Sequence, residues 1–134
     1  MEKVLPTKEP SGVGMTGCMT ALKDETVSFQ IAYYWNGPWK STGQIRVNAP
    51  EDLNVKVRIV KLVPCAYPCH TLRDENYLVT EPGMYPDLLS DIPECGFPLV
   101  GGQWRSLWID IETTRETAAG EYKIEFVLEC EAGT

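Results

Sequence analysis

The stretch that decides the fold class is Val27-Ser28-Phe29-Gln30-Ile31-Ala32-Tyr33-Tyr34-Trp35. Every second residue from Val27 to Tyr33 is apolar, and the residues between them are small or polar. This alternation is typical of a half-buried β-strand, whose side chains point in turn to the two faces of a sheet. The strand is expected to end at the Asn-Gly-Pro sequence of residues 36–38, because proline cannot donate to the hydrogen-bond ladder.

Further segments show the same alternation. Residues 43–47 and 54–63 predict two strands joined by a turn, and residues 121–130 predict a strand whose outer face is charged and solvated. Residues 103–111 carry apolar side chains on both faces, which predicts a central strand.

Two less regular segments complete the fold prediction. Residues 16–22 are compatible with a strand and are expected to form a hairpin with the first strand through a polar turn at residues 23–25. Residues 64–102 are rich in proline without sustained periodicity, which predicts one long loop with at most one helical turn, at residues 87–91. The fold class is therefore all-β: an antiparallel sandwich, immunoglobulin-like or jelly-roll-like, in a single domain over residues 1–134.

Composition and charge restrict the function classes. A chain of 134 residues with 43% hydrophobic residues can bury a core of its own and is not expected to be disordered. The net charge is −7, and lysine and arginine form no cluster, which argues against nucleic acid as a partner. No apolar run approaches the roughly 18 residues of a membrane-spanning helix, and the N-terminus carries no apolar signal segment, so no membrane partner is expected either.

The cysteines form an odd set and cannot all pair within one chain. They are Cys18, Cys65, Cys69, Cys95 and Cys130. Such an odd set of thiols favours a reducing, cytoplasmic compartment. Cys65, Cys69 and His70 bring two thiolates and an imidazole close together in sequence, which makes them candidate zinc ligands. The signal is weak without a second tight cysteine pair, so ordinary thiols are the preferred interpretation and no cofactor is expected.

Acidic residues offer a catalytic alternative. Asp87, Asp91 and Glu94 crowd one segment, and a glycosidase needs two carboxyl groups about 5 to 9.5 Å apart across a cleft. Acidic side chains on a solvated segment of an acidic protein need no catalytic explanation, so no catalytic residue is predicted.

Four tryptophans complete the candidate sites. Trp35 and Trp39 flank the break at residues 36–38 and are candidate carbohydrate-binding residues, because exposed indole rings stack on sugars. Trp104 and Trp108 share one face of a strand, and burial in a core or against another domain is the preferred role for both.

Four motifs, in this order along the chain, resemble one known family. They are Ser28-Phe29-Gln30 after an acidic turn, Pro86-Asp87-Leu88-Leu89, Leu107-Trp108-Ile109-Asp110, and Gly120-Glu121-Tyr122. The order and spacing are similar to those of the N-terminal β-sandwich domain that precedes the catalytic barrel in glycoside hydrolase family 123 and its uncharacterised relatives. The resemblance runs from about Met15 to Cys130 and departs at Ala119, where the family pattern has proline.

The resemblance implies a non-catalytic role for this chain. The paired catalytic carboxylates of such proteins belong to the barrel, so this chain would be a non-catalytic accessory domain, the N-terminal part of a larger protein. Its partner would be the C-terminal catalytic domain of the same polypeptide, and the whole protein would be a glycoside hydrolase. A further strand would follow the last one, so the uncovered edge of this chain is expected to form edge-strand dimers. Two alternatives stay open: a carbohydrate-binding module that uses Trp35 and Trp39, and a zinc module that uses Cys65, Cys69 and His70.

Overall fold

A computed structural model describes residues 3–11, 18–38, 40–66, 76–77 and 79–131 of the chain. These residues form seven strands and no helix: β1 (Thr26–Tyr34), β2 (Lys40–Asn48), β3 (Asn54–Cys65), β4 (Gly83–Asp91), β5 (Phe97–Val100), β6 (Trp104–Glu112) and β7 (Glu125–Glu131). Every pairing between them is antiparallel. One sheet has four strands in the order β1-β6-β3-β4, and the other has three in the order β5-β2-β7. The prediction of an all-β antiparallel sandwich is confirmed.

The core lies between the two sheets. Phe97 and Leu99 of β5 and Leu107 and Ile109 of β6 are almost completely buried, and burial of each such side chain stabilises the fold by about 1.5 to 3 kcal/mol. Aromatic contacts join the sheets: the ring of Phe29 meets that of Phe126 edge-on at 5.9 Å, and the rings of Tyr33 and Phe97 lie 5.7 Å apart. The alternating apolar residues of the first predicted strand are therefore its inner face.

Strand β6 is central, as the sequence predicts. It pairs with β1 on one side and with β3 on the other. Because residues 107 and 109 point into the sandwich, alternation turns Trp104, Ser106, Trp108 and Asp110 to the opposite side of the sheet.

The prediction of one long loop over residues 64–102 is wrong, because β4 and β5 lie within it. Pro86 and Pro98 lie within these strands, and proline in a segment argues against a strand there. Both strands lie at sheet edges, where a missing N–H donor is tolerated. The pairing of β4 with β3 shifts register, so that Leu62 faces Pro86 and Lys61 faces Leu88, and Asp87 is the extra residue of a bulge. The helical turn expected at residues 87–91 is strand as well.

The hairpin expected from residues 16–22 is also wrong for the part that the structure describes, since residues 18–22 form no strand. Asp24 has a φ of 63°, which turns the chain out of the extended conformation just before β1. Thr113 holds the segment instead. Its Oγ1 donates to the carbonyl of Leu22 at 2.6 Å and accepts from the backbone N–H of Glu25 at 3.1 Å. Residues 16 and 17 lie outside the described residues.

The last strand is shorter than predicted and begins at Glu125. It pairs with β2, and the order of the three-stranded sheet places it at an edge. Exposed acidic side chains at Glu125 and Glu129 mark this strand, a common protection against strand addition.

Candidate functional site

The most organised polar cluster lies on the side of the four-stranded sheet that faces away from the sandwich core. We call this side the outer face and define it by eight residues of three strands: Ser28, Gln30, Tyr34, Arg58, Trp104, Ser106, Trp108 and Asp110. Register brings them together, because Ser28 pairs with Asp110, Gln30 and Arg58 both pair with Trp108, and Tyr34 pairs with Trp104.

Asp110 is the centre of the outer face. Its side chain is 10% exposed, and it accepts hydrogen bonds from Ser28 Oγ at 2.6 Å and from Trp108 Nε1 at 2.7 Å. Nη2 of Arg58 donates to the other carboxylate oxygen and completes an ion pair. Three neighbouring strands are thus joined through one carboxylate.

The charge of Asp110 is stabilised although the group is buried. Burial by itself raises the pKa of this carboxyl group, but hydrogen bonds from Ser28, Trp108 and Arg58, together with the positive charge of Arg58, outweigh it. The net effect lowers the pKa below its ordinary value. Asp110 is therefore ionised at neutral pH, which suits a structural anchor and not a proton donor.

A second polar pair continues the cluster. Ser106, which is 2% exposed, donates from Oγ to Oε1 of Gln30 at 3.0 Å. One buried nitrogen of the outer face, Nε of Arg58, has no hydrogen-bond partner among the described residues.

The aromatic side chains give the outer face its apolar part. Tyr34 is 46% exposed, and its ring lies 5.3 Å from that of Trp104 at an angle of 49°. Trp104 and Trp108 are half-buried. With its Nε1 bonded to Asp110, Trp108 presents apolar ring atoms and no free donor.

A second feature is an open cleft of about 710 Å³. Tyr33 near the end of β1, Arg105 near the start of β6, and residues of β3, β4 and β5 line it, together with residues 5–7 of the N-terminal segment. That segment is fixed to β6 by a hydrogen bond of 3.0 Å from the N–H of Trp104 to the carbonyl of Pro6.

The cleft brings together a buried phenol, that of Tyr33, and a half-buried guanidinium group, that of Arg105. Burial raises the pKa of Tyr33 to about 12, against a smaller opposing effect of the charge on Arg105. Burial likewise lowers the pKa of Arg105, against a smaller opposing effect of Tyr33. An arginine starts from so high a pKa that it keeps its charge, so the pair is a neutral phenol beside a cation at neutral pH.

The residues predicted to bind carbohydrate are not seen as an exposed pair. Trp35 is half-buried, packs against the core, and donates from Nε1 to the carbonyl of Pro38 at 2.9 Å. Its ring lies over Gly37, where a Cβ atom would come within 2.2 Å of it. Trp39 lies outside the described residues, so sugar binding by this pair stays a prediction.

The candidate metal ligands are only partly described. Cys65 ends β3 and is half-buried, whereas Cys69 and His70 lie outside the described residues. Within the described ranges no three histidine, cysteine or acidic side chains form a metal-binding group. The four cysteines that the structure describes, at positions 18, 65, 95 and 130, are free thiols.

The clustered carboxylates are surface groups of β4 and the turn after it. Asp87 forms an ion pair with Lys3 at 3.1 Å, Asp91 forms one with Lys56 at 3.5 Å, and Glu94 is exposed. Asp87 and Asp91 are therefore exposed, ion-paired surface groups, and Glu94 is an exposed one.

Comparison of the chain with protein-family models and with curated proteins finds no match in either set. No helix in the described part of the chain is long and apolar enough to cross a membrane.

Sequence reasoning missed the role of Asp110 as the buried centre of the outer face, and it missed the partners of that carboxylate. The alternation of residues 103–111 places Asp110 beside Trp108 and on the face opposite Arg105, but it does not show which face is covered by the second sheet. An aspartate between two isoleucines in a central strand was the available signal, because a carboxylate at such a position requires partners. Nothing local identifies Arg58 or Ser28 as those partners.

Proposed function

We propose that the chain is a non-catalytic accessory β-sandwich that packs through its outer face against a glycoside-hydrolase-like catalytic barrel of the same polypeptide. The observation that carries the proposal is the network around Asp110, in which Ser28, Trp108 and Arg58 satisfy a buried carboxylate on the side of the sheet away from the core. Because its charge and hydrogen bonds are already satisfied within the sheet, this carboxylate can be covered by a second domain at little further desolvation cost.

The aromatic rings support protein contact over sugar stacking. Interfaces between proteins are enriched in tryptophan and tyrosine. Tyr34 and Trp104 are tilted by 49° to one another, so they do not make the flat platform that successive sugar rings need. Trp108 has its only donor bonded to Asp110 and none left for a sugar hydroxyl.

The four sequence motifs support the identity of the partner. Three of them lie in strands of the four-stranded sheet, and Leu107-Trp108-Ile109-Asp110 supplies both the core of β6 and the anchor of the outer face. Because the family pattern includes Trp108 and Asp110, we expect both residues to lie at the contact between the accessory domain and the barrel.

The proposal is tested by measuring whether the chain binds the polypeptide that follows it in the reading frame. The polypeptide encoded downstream of Thr134 is produced separately and titrated with the chain by calorimetry. We expect a barrel-type domain that binds the chain, and at least a tenfold weaker affinity for Trp104→Ala, since a tryptophan that becomes buried at an interface often contributes upwards of about 1.4 kcal/mol. Leu22→Ala is the control, because Leu22 is 77% exposed and lies outside both sheets.

Three outcomes contradict the proposal. One is a downstream region without a barrel, and the second is binding that Trp104→Ala leaves unchanged. The third is release of nitrophenol from aryl glycosides by the purified chain alone, which would make the chain itself catalytic. Retention on a polysaccharide affinity gel that Trp35→Ala abolishes would favour the carbohydrate-binding alternative.

A further inference from the structure

Arg105 lines the cleft at the opposite side of β6 from Trp104 and Asp110. A guanidinium group has five N–H donors. Among the described residues one hydrogen bond uses them, from Nη2 to Oε1 of Gln103 at 2.7 Å, and the Nε atom is buried without a partner. The donor capacity of Arg105 is therefore largely unused by the part of the chain that the structure describes.

The charge of Arg105 is also uncompensated there. No carboxylate of the described residues lies within ion-pair distance of it. Tyr33, its neighbour in the cleft, is a neutral phenol at physiological pH, and burial raises its pKa further, to about 12. Lys61 and Glu81 also line the cleft, and their opposite charges cancel. The cleft thus carries one net positive charge.

We propose that the cleft binds a small molecule with an apolar body and one carboxylate group, and that Arg105 pairs with that carboxylate. This site lies on the inner side of β6 and goes beyond the docking role proposed for the outer face.

The size and lining of the cleft match such a ligand. Small-molecule sites occupy about 300 to 1,000 Å³ and combine apolar walls with a few polar groups, and this cleft has about 710 Å³. Its walls include apolar residues from separate parts of the chain: Leu5, Pro6, Val79, Pro98 and Val100. An apolar body would replace water on these walls, and the free edge of the guanidinium fits the two oxygens of a carboxylate.

The charge count favours a monoanion. A phosphate monoester carries close to two negative charges at neutral pH and is usually held by several cations or backbone N–H groups. One net positive charge between apolar walls instead complements a single carboxylate.

The test uses a matched pair of probes, 4-phenylbutyrate and its neutral amide, and follows the ¹⁵Nε–Hε signal of Arg105 by NMR. We expect the carboxylate to bind at least tenfold more tightly than the amide and to shift the Arg105 signal. Arg105→Gln should reduce the preference to less than about twofold, and Arg105→Lys should keep part of it because the charge remains. Arg115→Gln is the control, since Arg115 has an 87% exposed side chain paired with Asp24 away from the cleft.

Other results overturn the proposal. They are equal binding of the two probes, a preference that survives in Arg105→Gln, and an Arg105 signal that moves with protein concentration and not with the probe. The last would mean that a second copy of the chain fills the cleft. Thermal unfolding of each variant shows that it is folded, and Arg105→Lys carries the test if Arg105→Gln does not fold. Loss of association with the downstream polypeptide is a separate measurement, so either proposal can fail alone.

Discussion

Nε1 of Trp108 donates a 2.7 Å hydrogen bond to Oδ1 of Asp110, two positions further along the same face of β6. The same carboxylate receives Ser28 from β1 and Arg58 from β3. The orientation of the Trp108 ring and the alignment of three strands therefore depend on one buried charge.

The first prediction concerns the stability lost when Asp110 is replaced. Asp110→Ala leaves Arg58 without its counter-ion and removes the acceptor of Ser28 and Trp108, so we expect a loss of about 3 kcal/mol in the free energy of unfolding. Urea unfolding measures it. Asp91→Ala is the matched control, because Asp91 pairs with Lys56 at 79% side-chain exposure, and such a pair contributes less than about 1 kcal/mol. Equal losses in the two variants would show that the network does not hold the sheet.

Acid should weaken the same network. The folded-state pKa of Asp110 is lowered below its ordinary value of 3.8, so its contribution is complete above that pH. It falls as the pH drops below about 4, where the unfolded chain takes up the proton first. In urea unfolding between pH 7 and pH 2, the stability difference between the wild type and Asp110→Asn should stay constant to about pH 4 and then shrink. A difference that stays constant down to pH 2 would contradict the lowered pKa.

Alkaline pH should lower the stability of the fold through the ionisation of Tyr33. Its folded-state pKa is raised from 10.0 to about 12, so the phenol contributes stability that is complete below pH 10.0. This stability is lost as the pH rises toward 12, because the unfolded chain ionises first. Tyr33→Phe cannot ionise and should lose less stability than the wild type between pH 9 and pH 11.5. An identical alkaline loss in both proteins would assign it to other groups.

The exposed edge of β7 leads to a prediction about self-association. Antiparallel addition of a second β7 would form dimers, opposed by repulsion between the exposed Glu125 carboxylates of the two copies, whereas the charge of Glu129 is paired with Arg46 at 2.9 Å. Sedimentation should therefore detect dimers that increase with protein concentration and with salt, which screens the repulsion. Glu125→Gln removes the repelling charge and should respond less to salt. Monomer alone at high concentration and high salt would contradict the prediction.

Alternation without proline predicted two strands of the four-stranded sheet well, although it placed the start of the last strand four residues too early. Residues 27–35 and 103–111 are the two segments concerned, and both became strands of the four-stranded sheet. It failed at β4 and β5, because Pro86 and Pro98 are acceptable only at sheet edges, and edge position is a property of the whole fold. It failed before β1 because Asp24 adopts a positive φ and Thr113, distant in sequence, takes the backbone hydrogen bonds.

Only the residues of the outer face that belong to one strand could be predicted from the sequence. Trp104, Trp108 and Asp110 could be placed on one face of a strand from their spacing alone. The partners Ser28 and Arg58 come from strands far away in sequence, and their register is fixed by pairing across the sheet. The charge state of Arg105 within the cleft depends on residues of several elements, none of them marked by a motif.

Hydroxyl-radical footprinting measures whether the outer face is covered by another domain. The chain alone and the protein encoded by the whole reading frame are oxidised side by side, and modification of Tyr34, Trp104 and Trp108 is read by mass spectrometry. If the reading frame encodes the proposed barrel after Thr134, we expect at least a severalfold drop at these three residues in the protein that contains it, with no change at the exposed Leu22. Equal oxidation of the outer face in both proteins would contradict it.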